Sequence, residues 1–192
     1  GIPCCELGVS AFEKVSGREG PDGLLGVAHT WDCSLERLQL SAAPLLLVAE
    51  SVEKPGNLGA LLRTADSAGC DALVICDPVT DAFNPNVVRS SQGALFSVPV
   101  AVCSSAEAVA WMQAKGIRSL ATTPAATKTF WDVDCRGPSA LLLGSEKDGL
   151  SDFMLGAAAE KISIPQAGLS DSLNVSMAAG IVLFEAVRQR RK

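Results

Sequence analysis

Short apolar runs of strand length recur along this chain, at 24–28, 44–49, 72–76, 98–102, 120–122 and 140–143, and they are continuous rather than alternating. A strand with one wet face alternates apolar and polar residues, whereas one buried on both faces does not. Between the runs lie helical patterns. Leu58, Leu61, Leu62 and Ala65 share one face, residues 106–115 carry Val109 and Met112 inward, and residues 171–188 read as a long C-terminal helix. Doubly buried strands separated by helices predict an α/β fold, a mostly parallel sheet with helices on both faces. The 192 residues, 48% hydrophobic, suffice for one sizeable domain and a small extra piece.

Residues 16–23 are rich in turn formers and read as a linker. The chain opens on Gly1 without an initiating methionine, so residues 1–22 are expected to be the end of a truncated preceding piece, and 23–192 the main domain. No apolar run approaches the roughly 18–20 residues of a membrane span, and no basic region precedes an apolar stretch at the N-terminus. A cytoplasmic protein is the expectation. The seven cysteines are odd in number and contain no Cys-x-x-Cys, so they read as reduced core residues. His29 is the only histidine and lies in an apolar pattern; with no cysteine pair at ligand spacing, no metal site is expected. Neither Gly-x-Gly-x-x-Gly after a strand nor a Gly-Lys-Ser/Thr phosphate loop is present. A formal net charge of −5 argues against bulk attraction to nucleic acid. Local binding would fall to Lys54, Arg63, Arg89 and the tail residues Arg188, Arg190, Arg191 and Lys192, although a basic tail equally complements a helix dipole.

Three segments carry the polar residues that chemistry would need. Residues 53–65 read EKPGNLGALLRTA, residues 143–151 read LGSEKDGLS, and ISIP at 162–165 is followed by SDSLNVSMAAG at 170–180. Each is a strand end, a polar or Gly-bearing loop and a helix start. Asn57 is expected to cap a helix beginning at Leu58. At about 100° per residue, Arg63 points roughly 150° from the centre of the Leu58, Leu61, Leu62 and Ala65 face, toward ligand, solvent or partner. Glu146 follows a strand, where it either solvates the loop or enters a site. In the last helix Leu173, Met177, Ile181 and Phe184 form one apolar stripe, and Val175, Ala178, Ala179 and Val182 leave little polar surface. Such a helix should be covered on most sides, by its own sheet and by a second copy or by its own domain alone.

The three segments in this order resemble the motifs of the SPOUT superfamily, in its SpoU/TrmH branch of RNA ribose 2′-O-methyltransferases. The resemblance covers about residues 22–188. It implies a C-terminal trefoil knot, S-adenosylmethionine as cofactor, and a homodimer through the C-terminal helix. It implies catalytic roles for Asn57, Arg63, Glu146, Ser172 and Asn174, and cofactor contacts from Gly144, Ile164 and Leu173, with Thr122 a further candidate. Lys54, Arg63 and Arg89 would meet RNA. Arg89, in NPNVVRSSQGA at 84–94, matches the branch's Val-Arg-Ala-Ser-x-Gly segment with Ser90 in place of the commoner alanine; a structural salt bridge is the competing account. Lys147 and Asp148 stand where some relatives carry small residues. Residues 1–22 would be the end of an RNA-binding domain and its linker, which favours rRNA over tRNA as substrate. A guanidinium, with a pKa above about 12, is a poor base, so Arg63 is read as orienting the hydroxyl and its phosphate. The rivals are a non-catalytic RNA-binding or ribosome-assembly module of the same fold and a generic α/β nucleotide-binding enzyme.

Overall fold

The computed structural model describes residues 1–17, 19–168 and 172–191. The chain divides into two compact units, residues 1–31 and 32–192. The first contains helix α1 (Val9–Ser16), which ends at Gly17 in the left-handed conformation. The strand expected at 24–28 does not form. Leu24 and Val27 are 90% and 94% exposed, and a strand without a paired neighbour leaves its backbone groups to water. His29 is exposed in the same segment.

The second unit is an α/β domain around one six-stranded sheet, all of whose pairings are parallel. Its strands are β1 (Leu45–Glu50), β2 (Ala72–Cys76), β3 (Val100–Cys103), β4 (Arg118–Thr122), β5 (Ser139–Leu143) and β6 (Glu160–Ile162), in the order β3-β2-β1-β5-β4-β6. Central β1 pairs Leu47 with Leu73 on one side and with Leu141 on the other. Successive strand residues face opposite sides. Leu45, Leu47 and Ala49 join one core with Leu58, Leu61 and Leu62 of α2 (Pro55–Ala68) and Ala179, Val182 and Leu183 of α6 (Val175–Arg190). Leu46 and Val48 join the other core, with Ala108 and Met112 of α4 (Ser105–Ala114) and Met154 of α5 (Asp152–Ala157). Two covered faces are why the strand runs are uninterrupted.

Helix starts differ from expectation. α2 begins at Pro55, whose missing N–H and fixed φ suit a first helical position. Asn57 therefore sits inside the first turn and is not the cap. α6 begins at Val175 rather than near 171, because Asn174 accepts from the Ser176 N–H and caps it. Ser170, Asp171 and Lys192 lie outside the described residues. A helix not expected from the sequence, α3 (Pro85–Ser90), is capped by Asn84 and packs against α2. The contact depends on Gly59, where a Cβ would lie 2.0 Å from Ser90 Oγ and 2.8 Å from the Ser90 carbonyl carbon.

The basic tail is used within the fold. The Arg190 guanidinium donates to the carbonyls of Ala43, Pro44, Cys135 and Gly137. Arg188 pairs with Glu185 at 2.8 Å. Cys70, Cys76 and Cys135 are buried, whereas Cys4 and Cys5 are exposed and so are not core residues.

Candidate active site

In a parallel sheet all the carboxyl ends lie along one edge, where ligands collect. Here the carboxyl ends of β4, β5 and β6, with the start of α6, surround a cavity of about 380 Å³. Thr122 ends β4, Gly144 follows β5, Ile164 follows β6 and Leu173 precedes α6; all four line the cavity, as do Glu146 and Ser172. The Thr122 hydroxyl is buried and has no hydrogen-bond partner. An unsatisfied buried hydroxyl costs about 1–3 kcal/mol, and the adjoining cavity is where a partner would enter.

The wall between Gly144 and Leu150 is a tight loop closed on itself. Ser145 and Gly149 exchange two backbone hydrogen bonds of 3.1 Å, and Ser145 Oγ accepts from the Asp148 N–H at 3.0 Å. Gly149 turns the chain at φ +71°, a conformation that favours glycine. Leu150 is buried in the core beneath. The two strands of the loop approach so closely that a Cβ on Gly144 would lie 1.9 Å from the Gly149 carbonyl carbon. Glycine at 144 is thus required by loop closure, whatever the cavity holds.

At the mouth, residues from all three segments meet. Asn174 Nδ2 donates to Glu146 Oε1 at 2.6 Å and to Asn57 Oδ1 at 3.2 Å, while Lys54 Nζ donates to Glu146 Oε2 at 2.5 Å. Freed from capping, Asn57 is available for this cluster. The Lys54 ammonium holds the Glu146 carboxyl below the usual carboxylate range, helped by Asn57 and Asn174 and opposed by slight burial. The same pairing raises Lys54. For a depressed carboxyl, the stabilisation is complete above the unfolded value of about 4.3 and is lost as pH falls through the lower folded value. The cluster is therefore intact at neutral pH.

Arg63 projects from the outer face of α2 and Arg89 from α3; both are exposed, and among the described residues neither has an ion pair or side-chain hydrogen bond. The salt bridge considered for Arg89 does not form. Sequence reasoning missed Glu50, a carboxylate buried at the end of β1, whose signal was an acid closing an otherwise apolar strand. Among the described residues no helix is long and apolar enough to cross a membrane, and no group of three His, Cys, Asp or Glu side chains could hold a metal ion.

Residues 44–184 match the model of the SpoU rRNA Methylase family. The chain is similar to a tRNA/rRNA methyltransferase of Synechocystis, with 34% identity over 92% of this chain and 64% of that one. It is similar to 23S rRNA (guanosine(2553)-2′-O)-methyltransferase RlmP of Bacillus subtilis, with 33% identity over 96% of this chain and 72% of that one. Among solved structures, an AdoMet-bound rRNA methyltransferase from Sinorhizobium meliloti superposes with a TM-score of 0.91 at 31% identity, covering 96% of this chain and 71% of that one. The six-stranded parallel α/β domain is thus the fold of a solved rRNA methyltransferase. The chain belongs to the SpoU rRNA methylase family.

Proposed function

We propose that this chain carries the catalytic part of an S-adenosylmethionine-dependent methyltransferase that acts on a ribose 2′-hydroxyl of RNA, with rRNA favoured over tRNA. The observation that carries the reading is the meeting of Asn57, Glu146 and Asn174 at the mouth of the cavity, with Lys54 closing the cluster. The chain spans about two thirds of the relatives' length; the Bacillus subtilis and Ralstonia relatives are named for 23S rRNA, the Synechocystis one for tRNA/rRNA. The domain plan, residues 1–22 as the end of an RNA-binding domain or linker and 23–192 as the catalytic domain, is part of the proposal. So are the C-terminal knot and a cytoplasmic location.

The cavity suits the cofactor. Its volume lies in the usual range for small-ligand sites, about 300–1,000 Å³. Leu143, Leu150, Ile164 and Leu173 provide apolar walls for a purine, and the orphan Thr122 hydroxyl offers a polar contact. When bound, S-adenosylmethionine supplies a methyl group already activated by its sulfonium. The chain's residues then have to fix the ribose 2′-oxygen in line with that carbon, exclude water and let the hydroxyl proton leave. Such positioning is worth on the order of 7–11 kcal/mol. We assign Glu146 and Asn174 to hold Asn57 and the loop in register, Ser172 to the same machinery, and Arg63 to orient the hydroxyl and its phosphate. Arg89, and Lys54 beside its carboxylate partner, would meet the RNA backbone.

The proposal includes a homodimer. The face of α6 bearing Ala178, Ala179, Val182 and Leu183 is buried in the domain, yet Met177, Ile181 and Phe184, at helical spacing on the other side, are 59%, 38% and 48% exposed. An unpartnered apolar stripe on a central helix fits a second copy of itself. Ile181→Glu is expected to turn the dimer into a monomer in sedimentation velocity and to abolish methyl transfer; a dimeric variant would place the interface elsewhere.

The function is tested by calorimetric titration of folded protein with S-adenosylmethionine and its demethylated product, followed by methyl incorporation into rRNA with mapping of the modified ribose. Saturable binding and a 2′-O-methyl product are expected. A folded dimer that binds neither ligand would favour the non-catalytic RNA module.

A further inference from the structure

We infer that Glu50 is a positioning residue, a clamp that sets the 144–151 loop over the cavity by holding Ser151. Its place in the strand is unusual. The rest of β1 is Leu-Leu-Leu-Val-Ala, all buried, and Glu50 at its end is only 4% exposed. A buried carboxylate persists only where hydrogen bonds or a cation replace its hydration. Among the described residues it has no ion pair, so its hydrogen bonds carry that load.

Those bonds converge from one residue, 101 positions further along. The Ser151 N–H donates to Oε2 at 2.7 Å and the Ser151 hydroxyl donates to Oε1 at 2.6 Å. The Ser151 oxygen in turn accepts from the Met154 N–H at 3.2 Å, which caps α5 and fixes the direction of its O–H toward Glu50. Ser105 Oγ also approaches, 2.9 Å from Glu50 Oε1, but it lies 2.5 Å from Asp77 Oδ2 and has a single proton to give. The shorter contact assigns that proton to Asp77. Both dependable donors to Glu50 therefore belong to Ser151.

Ser151 is where the loop ends and α5 begins. Between it and β5 lie the closed turn of Ser145 and Gly149 and, at the tip, Glu146 with its bonds to Asn174 and Lys54. One end of the loop is the strand itself; at the other, the Glu50 carboxylate holds Ser151 beside Leu150, which is buried in the core. Releasing Ser151 would let the wall drift and would move Glu146 with it, although Glu50 touches neither the cavity nor the cluster. That catalytic consequence rests on the proposed function, whereas the clamp itself does not.

The test is hydrogen–deuterium exchange of the full chain, comparing parent, Glu50→Ala, Glu50→Gln and Ser151→Ala, with S-adenosylmethionine titrated in parallel. Charge-assisted bonds of this kind are the stronger class. Peptides across 144–155 are expected to exchange about tenfold faster or more in Glu50→Ala, while peptides from α2 and α6 keep parent rates. Glu50→Gln retains one acceptor oxygen and should fall between. Affinity for S-adenosylmethionine should drop in the same order, a change that general destabilisation with uniformly faster exchange would not reproduce. A folded Glu50→Ala with loop exchange like the parent's overturns the clamp. If that variant does not fold, unchanged loop exchange in both Glu50→Gln and Ser151→Ala overturns it equally. A parent that binds no S-adenosylmethionine would reject the proposed function, and the exchange comparison would still decide the role of Glu50.

Discussion

Alanine at position 144 is expected to weaken S-adenosylmethionine binding by about a hundredfold or more, in a protein whose sheet remains folded. The added Cβ would lie 1.9 Å from the Gly149 carbonyl carbon, 2.0 Å from its oxygen and 2.1 Å from the Leu150 nitrogen. All three are backbone atoms, so no side-chain rotation relieves the clash. Ordinary carbon contacts need about 3.5–4.0 Å, so the loop has to open by more than an ångström. Opening it breaks the paired bonds between Ser145 and Gly149 and drags on Leu150, which is anchored in the core. Overpacking of this sort costs about 1–3 kcal/mol and occasionally more, and about 2.7 kcal/mol corresponds to a hundredfold in affinity. Calorimetric titration beside a far-ultraviolet spectrum checks it. Binding within about threefold of the parent would mean that the loop does not form the ligand's wall.

The same glycine illustrates what a linear reading reaches. Its presence in LGSEKDGLS was legible, and so was its place after a strand, but the sequence does not tell that Gly149 folds back onto it. β2 appeared in the sequence with its observed limits because both of its faces are buried, leaving an unbroken apolar run. Residues 24–28 have the same local composition without a neighbouring strand, and pairing is what composition cannot supply. Helix starts failed for a related reason. Pro55 tolerates the first helical position, so α2 opened two residues ahead of Asn57; Asn174 capped α6, so Ser172 and Leu173 stayed outside the helix. Periodicity placed Met177, Ile181 and Phe184 on one stripe, but only the packing shows that this stripe faces out while the small residues beside it face in. Motif spacing pointed to Glu146 and Asn174. Nothing in it pointed to Lys54 as the partner of Glu146, or to Glu50, because both depend on contacts across about 90–100 residues of intervening chain.

Arg63→Ala is expected to lower turnover by about 10²–10³-fold with little change in S-adenosylmethionine affinity, the loss that follows removal of a fixed donor from a site where charge develops. The position favours this role. Leu61 and Leu62 fasten α2 to the sheet, so the backbone under Arg63 is rigid, and the side chain itself is exposed with no carboxylate partner among the described residues. Four other arginines of the domain are spoken for, Arg118 by Glu160, Arg136 by Asp134, Arg188 by Glu185 and Arg190 by four carbonyls, whereas Arg89 shares with Arg63 the lack of a partner among the described residues. An unengaged guanidinium on a rigid helix suits a phosphate and an adjacent hydroxyl, which its planar fork can address together. Arg63→Lys separates charge from geometry. A lysine keeps the attraction to phosphate but not the fork, so RNA affinity should be nearly retained while kcat falls by about 10²-fold. Single-turnover methyl transfer with saturating RNA reads the two effects apart. Near-parent turnover in the lysine variant would mean that charge alone suffices, and the orienting role assigned to Arg63 would fall.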